Sequence, residues 1–85
     1  LQTLRARPSM RDGRAEGFRL FAIRPGSLFA RIGLTNGDVL LKVSGQTVDD
    51  PAVALEVFQK LRDAAEVTLE VRRRGRIQQL RYLIE

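Results

Sequence analysis

Residues 27–48 read SLFARIGLTNGDVLLKVSGQTV, and this stretch decides the fold of the chain. Ser27 can cap a short helix, and Gly33 stands where a residue of positive φ ends one. Asn36-Gly37-Asp38 then predicts a reversal in which the aspartate bonds neighbouring backbone N–H groups. The apolar run Val39–Val43 predicts a strand. Together these signals indicate a compact helix, turn and strand unit with little room for catalytic groups.

The residues before this stretch predict a β-hairpin. Apolar side chains at every second position from Leu4 to Met10 indicate a strand that is buried on one face, and Pro8 restricts that strand to a sheet edge. Asp12-Gly13 is a favoured two-residue hairpin turn. We therefore expect an antiparallel second strand over Gly17–Ile23, which is rich in Phe, Leu and Ile.

The residues after the stretch predict a helix followed by a second hairpin. The helix runs from about Pro51 to Arg62, and its apolar stripe is formed by Ala54, Val57, Phe58 and Leu61. Alternation over residues 67–71 and 80–84 predicts two strands joined by a turn at Arg74-Gly75. With a short strand at residues 46–48, we expect an α+β domain of about five or six strands and two helices.

Length and composition indicate one small domain that spans residues 1–85. The chain is 44% hydrophobic, which is enough for one core, and no window approaches the roughly 20 apolar residues of a membrane span. Its first residue is not Met, so we expect it to be a fragment of a longer protein.

Residue types that perform chemistry are scarce in this sequence. The chain has neither cysteine nor histidine, which removes thiol nucleophiles, disulfides and the commonest general base and metal ligand. Its serines therefore have no imidazole to activate them. The pair Asp49-Asp50 is a conceivable carboxylate site for a metal, but Asp50 before Pro51 is typical of a helix N-cap. We expect no catalytic residue, no metal site, no cofactor and no enzymatic activity.

The net charge of +5 and the isoelectric point near 11.0 raise the question of an anionic partner. Basic residues are spread along the chain, as at Arg5 and Arg7 in the first strand. The aromatic residues fall in apolar patterns that a core would use, so none is left to stack on bases. We expect no nucleic-acid binding. The arginines around Gly75 indicate a solvated hairpin, with an acidic partner or an anionic lipid surface as alternatives.

The central stretch resembles the signature of PDZ domains. The residues that match it are Gly33, Leu34, Gly37, Asp38, Val39, Leu40, Val43 and Gly45. The order of predicted elements also matches the PDZ arrangement over nearly the whole chain. The resemblance implies a PDZ-like fold, which is a five- to six-stranded, partly closed antiparallel β-sheet barrel capped by two α-helices.

Within PDZ domains, the chain is most similar to the periplasmic domain of the type II secretion inner-membrane C component. The matching segments are residues 17–27, Ile32-Gly33-Leu34, Asn36-Gly37-Asp38, Asp50-Pro51 with Ala54-Leu55, Leu61-Arg62 and Arg73-Arg74-Gly75. This implies a periplasmic domain of an inner-membrane protein that is attached to the membrane only through a segment outside the sequence. The implied partners are secreted proteins, the outer-membrane secretin or both, and other inner-membrane secretion components. The alternative is a regulatory, substrate-binding PDZ domain of a periplasmic or membrane-embedded protease.

PDZ domains add an extended peptide to a sheet edge beside the long helix. The resemblance therefore implies a groove between the first strand and the helix, lined by Leu4, Ala6, Ala54, Phe58 and Leu61. Each of these residues could equally be a core residue. Two departures from the PDZ pattern weaken ordinary capture of a peptide C-terminus, because residues 1–5 contain no glycine and Pro8 lacks an N–H donor. An internal segment, a folded partner surface and a closed groove remain the alternatives.

Overall fold

The computed structural model describes residues 4–61 and 65–83. Eight elements follow in the order β1 (Arg5–Arg11), β2 (Arg14–Phe21), α1 (Leu28–Arg31), β3 (Val39–Val43), β4 (Gln46–Thr47), α2 (Pro51–Leu61), β5 (Glu66–Arg73) and β6 (Arg76–Leu83). The predicted α+β class, with its two helices and antiparallel strands, is confirmed. The last predicted residue of the long helix, Arg62, lies outside the described residues, as do residues 1–3 and 84–85.

The strands form one antiparallel sheet in the spatial order β1-β2-β3-β5-β6, and β4 pairs with β3 beside this path. The sheet is not closed, so β1 and β6 are its two edge strands. The edge position that Pro8 predicted for the first strand is therefore confirmed. β3 lies in the middle, where β2 and β5 flank it.

In the described part of the chain, three two-residue turns join neighbouring antiparallel strands, and the sequence predicted those at Asp12-Gly13 and Arg74-Gly75. At Asp12-Gly13 the two φ angles are 52° and 79°, and the turns at residues 44–45 and 74–75 have positive φ angles within 2° of these values. Positive φ at both positions is the type I′ geometry, whose twist matches that of the flanking strands. β2 begins earlier than predicted, at Arg14, and ends at Phe21 because Ala22 has a left-handed φ of 54°.

The core lies on one face of the sheet, beneath the helices. It comprises buried side chains from β2, β3, β5, α2 and the connecting loops: Phe18, Leu20, Ile32, Leu34, Leu40, Val43, Val48, Ala54, Val57, Val67, Leu69 and Val71. Leu28 and Phe29 of α1 pack against this cluster. Burial of aliphatic side chains contributes about 1.5–3 kcal/mol each, so this cluster is the main source of stability. Neither helix in the described part of the chain has the length and hydropathy of a membrane span.

β2 and β3 approach closely at Gly17. This glycine is buried, and a Cβ built on it would overlap the carbonyl oxygen of Leu40. Any side chain there would have to push the two strands apart. Gly17 is therefore needed for the spacing of the backbone and not for a turn.

The burial expected for the first strand is wrong. Ala6, Pro8 and Met10 are all exposed, and Met10 has 61% of its surface accessible. Ala6 lies opposite Leu20 and Pro8 opposite Phe18, so both lie on the core side of the sheet. Alternation identifies the side of a strand that faces the core, but it does not reveal whether another element covers that side. At β1 the core side is largely uncovered.

Candidate functional site

β1 is one of the two edge strands of the sheet, and its free edge lies next to the core cluster through Leu4. β2 pairs with one side of β1, and no described strand pairs with the other side. Unpaired N–H and C=O groups of an edge strand are a template for a further strand. Pro8 removes one donor, and the register shifts by one residue between Ser9 and Met10. The uninterrupted part of the free edge is therefore Arg5 to Arg7, with Leu4 directly before the strand.

The predicted lining residues occupy three different environments. Leu4 is half-buried and packs against the core cluster, whereas Ala6 is exposed on the core side of β1. Ala54 is 8% exposed and belongs to the core cluster itself. The side chains of Phe58 and Leu61 lie outside the described residues. Leu4 and Ala54 thus contact the same cluster, Ala6 borders the open space, and the lining role of all five residues stays a prediction.

The opposite face of β1 is positively charged. Arg5 lies opposite Phe21, and Arg7 lies opposite Arg19. The guanidinium carbon of Arg7 lies 5.4 Å from the centre of the Phe21 ring, which is within cation–π range. Sequence alternation places Arg5 and Arg7 on one face, but it does not give their register with β2. The structure adds Arg19 and Phe21 to this group.

A β-bulge in the first hairpin gives Glu16 two partners. Ser9 pairs with Gly17 and Met10 with Ala15, so Glu16 is the extra residue on β2. The Ser9 hydroxyl donates to Glu16 at 3.2 Å, and the Arg72 guanidinium donates to Glu16 at 3.1 Å and 3.3 Å. These contacts connect the two strands of the first hairpin to β5. No sequence pattern pointed to them.

Asp38, in the turn before β3, is the centre of a buried polar cluster. Its side chain is 1% exposed and accepts hydrogen bonds from the Thr35 backbone N–H at 2.9 Å and the Thr35 hydroxyl at 3.1 Å. The predicted bonding of Asp38 to a neighbouring backbone N–H is confirmed. Arg73 adds two contacts, Nε to Oδ1 at 2.8 Å and Nη2 to Oδ2 at 2.7 Å. Arg73 Nη2 also donates to the Gly33 carbonyl at 2.8 Å, so one guanidinium holds the end of α1, the turn and β5 together.

These contacts determine the charge of Asp38. Burial by itself would raise the pKa of Asp38, but the hydrogen bonds from Arg73 and Thr35 and the charge of Arg73 outweigh it. The pKa of Asp38 therefore lies below its ordinary value, and the same hydrogen bond raises the pKa of Arg73. A buried carboxylate with all its partners satisfied is suited to holding a fold and not to transferring protons.

The described residues contain no group of three or more acidic side chains that is able to hold a metal ion. Asp50 acts as the sequence predicted, because its carboxylate accepts from the Ala52 backbone N–H at 2.7 Å at the start of α2. The edge of β1 combines a partly apolar side facing the core with a cationic side facing outward.

A family model described as the PDZ domain matches residues 22–73. A curated relative, the type II secretion system protein C of Aeromonas salmonicida, is 36% identical over 69 residues, which are 78% of this chain and 23% of the relative. The chain thus spans less than a quarter of the length of that relative.

Solved structures agree with these matches. The PDZ domain of EpsC from Vibrio cholerae is 29% identical, with a TM-score of 0.69 over 98% of this chain and 79% of that one. The PDZ domain of the pullulanase C protein of the type II secretion system from Klebsiella pneumoniae, solved in complex with fatty acid, is 28% identical. Its TM-score is 0.65, and the match covers 95% of this chain and 84% of that one.

Proposed function

The chain belongs to the PDZ domain family, and on that premise we propose that it is a protein-interaction module of the type II secretion machinery that receives partners at the edge of β1. Its similarity to type II secretion C proteins supports this setting. The single observation that supports the mode of binding is the unpaired edge at residues 5–7 beside the core.

The mode of binding follows from the exposure of β1. An added strand would pair with the backbone of residues 5–7 and would direct alternate side chains over Ala6, toward the core side. Ala6 is exposed there, while Leu4 and Ala54 supply apolar surface at the core cluster below it. Apolar burial and backbone hydrogen bonds would then both contribute to the free energy of binding. Because Pro8 interrupts the donors, the paired segment is short and the partner is an internal segment or a folded edge.

The partners we propose are secreted proteins, the outer-membrane secretin and other inner-membrane components of the same machine. The domain would then act on the periplasmic side of the inner membrane and recruit or recognise proteins that leave the cell. A regulatory PDZ domain of a protease would use the same edge. The similarity to secretion C proteins favours the first setting, and no catalytic role is assigned to the domain.

The test replaces Ala6 with arginine and uses Met10→Arg as the matched control. Both residues are exposed on β1 and both changes add one positive charge, but Met10 lies beyond Pro8 and the bulge. Binding of purified periplasmic secretin domains and of a secreted protein from the same organism is measured by calorimetry. Ala6→Arg is expected to weaken binding at least about tenfold, while Met10→Arg changes it by less than about twofold.

Circular dichroism and urea unfolding establish that both variants fold. If both folded variants bind as the unchanged chain does, the partner uses another surface and the proposal for β1 is wrong. If neither secretin nor secreted proteins bind, but unfolded polypeptides do and Ala6→Arg abolishes this, the edge is correct and the protease setting replaces secretion.

A further inference from the structure

The outer side of the free edge of β1 is cationic, and we infer that the segment docking there has acidic side chains at every second residue, alternating with apolar ones. This inference rests on the function proposed above, because it concerns the partner of the same edge. It assigns Arg5 and Arg7 as residues that select the partner.

The geometry of an added strand leads to this pattern. Side chains of successive strand residues point to opposite faces of a sheet, and side chains directly opposite on neighbouring strands share a face. Partner residues opposite Arg5 and Arg7 would therefore lie on the outer face. The residue between them, opposite Ala6, would lie on the core side. Opposite Cβ atoms are about 5 Å apart, so a carboxylate would reach either guanidinium.

The charges on the outer face make an acidic partner favourable. Arg7 lies opposite Arg19 in the strand register, and the Arg19 guanidinium donates to the Gly37 carbonyl at 3.4 Å, which is a neutral acceptor. Within residues 4–61 and 65–83, no carboxylate lies within ion-pair distance of Arg5, Arg7 or Arg19. The ring of Phe21 keeps the Arg7 guanidinium on the outer face, 5.4 Å from the ring centre. Acidic side chains of a partner would supply the countercharge that these arginines lack.

The acidic residue of the same hairpin is already engaged. Glu16 accepts from Ser9 and forms an ion pair with Arg72 at 3.1 Å, with both ion-pair side chains largely covered. It is therefore not available to neutralise Arg7 or Arg19. The positive charges of Arg5 and Arg7 are therefore available to form ion pairs with a bound partner.

A polypeptide fits this surface better than a lipid or a nucleic acid does. The two arginines flank an unpaired strand edge, whose N–H and C=O groups are satisfied by another backbone. The exposed core-side position at Ala6 lies between the arginines and accepts an apolar side chain. Since the uninterrupted edge covers only residues 5–7, the pairing involves about two acidic residues with one apolar residue between them.

The experiment uses three short peptides with blocked ends: one alternates Val and Glu, one alternates Val and Gln, and one has the Val and Glu residues in two separate blocks. Their affinities for the 85-residue chain are measured by calorimetry. The test variant is Arg5→Gln with Arg7→Gln. The control variant, Arg74→Gln with Arg76→Gln, removes the same charge from exposed positions on the β5–β6 hairpin.

The alternating Val–Glu peptide is expected to bind about tenfold more tightly than the other two, since exposed ion pairs contribute severalfold each. In the Arg5 and Arg7 variant this advantage should fall below about twofold, whereas the control variant retains it. Raising the salt concentration from about 0.05 M to about 0.5 M should reduce the advantage as well. The single variant Arg7→Lys keeps the positive charge and should retain much of the preference for the alternating Val–Glu peptide.

Equal affinity of the Val–Glu and Val–Gln peptides overturns the inference. So does equal affinity of the alternating and block peptides, or an advantage that the control variant loses to the same degree. Binding to phosphatidylglycerol vesicles that depends on Arg5 and Arg7, without the peptide preference, would identify a lipid surface instead.

The proposed function fails separately if Ala6→Arg leaves binding of the Val–Gln peptide unchanged. Folding of each variant is followed by circular dichroism, and Arg7→Gln alone replaces the double variant if the latter unfolds.

Discussion

Arg73 and Asp38 face each other through two nitrogen–oxygen contacts of 2.8 Å and 2.7 Å, although 35 residues separate them in the chain. The carboxylate is 1% exposed and the guanidinium side chain is 26% exposed. A two-point contact of this kind fixes orientation as well as distance. It joins β5 to the turn that precedes the central strand.

Replacing Arg73 with glutamine is expected to lower the free energy of unfolding by about 3 kcal/mol, because the buried Asp38 carboxylate would lose its countercharge. Urea unfolding followed by circular dichroism measures the change. Arg76→Gln removes an equal charge from an exposed position on the same hairpin and should change stability by less than about 0.5 kcal/mol. Equal losses in the two variants would show that the pair contributes nothing specific.

The stability of the domain should also depend on the protonation of Asp38. Because the pKa of Asp38 is lowered in the folded chain, its contribution is complete above the ordinary Asp value of about 4 and is lost as the pH falls further. In Arg73→Gln the hydrogen bond and charge that lower the pKa of Asp38 are removed while burial still raises it, so this pKa should be higher than in the unchanged chain. The stability difference between the two proteins should therefore narrow as the pH falls from about 7 to about 3. Urea midpoints across this range provide the measurement, and a constant difference would contradict it.

Gly17→Ala should destabilise the domain by about 2–3 kcal/mol, because the added methyl group would overlap the Leu40 carbonyl and force β2 away from β3. Thermal unfolding by calorimetry measures this effect. Gly13→Asn is the control: Gly13 has no neighbouring atom within 4 Å of a built Cβ, and asparagine tolerates its positive φ. A loss at Gly17 no larger than at Gly13 would mean that the strands adjust without cost.

Arginine at Ala54 and arginine at Ala6 should have different consequences for the fold. Ala54 is 8% exposed within the core cluster, so Ala54→Arg inserts a charge into apolar surroundings and should cost about 2 kcal/mol or more. Ala6 is exposed, so Ala6→Arg should cost less than about 0.5 kcal/mol. Urea unfolding separates the two cases. If Ala54→Arg is as stable as the unchanged chain, Ala54 lines the groove and does not belong to the core.

The local parts of this fold could be predicted from the sequence, because their causes lie within a few residues. Asp12-Gly13 and Arg74-Gly75 form tight turns, since the glycine of each dipeptide accepts a positive φ angle without steric cost. Ser27 caps α1 by accepting from the Ala30 backbone N–H at 3.3 Å, as a helix N-cap does. The PDZ resemblance then supplied the order in which these pieces assemble.

The non-local parts could not be predicted from the residues alone. The contact of Asp38 with Arg73 depends on how β5 docks beside β3, and no spacing in the sequence encodes it. The exposure of Ala6 could not be predicted, because alternation shows which side of β1 faces the core but not whether another element covers that side. The register of Arg7 with Arg19 depends on hairpin pairing, which places two like charges together. The strand and helix that form the candidate site could thus be predicted from the sequence, whereas the arrangement of charges on β1 and β2 is known only from the structure.

The position of β5 has a consequence for how the polypeptide matures. During synthesis, the first half of the domain emerges with one side of β3 bare and with Asp38 lacking its cation, since both partners are supplied by residues 66–73. The domain therefore cannot complete its core until β5, which supplies Val67, Leu69 and Val71, has left the ribosome.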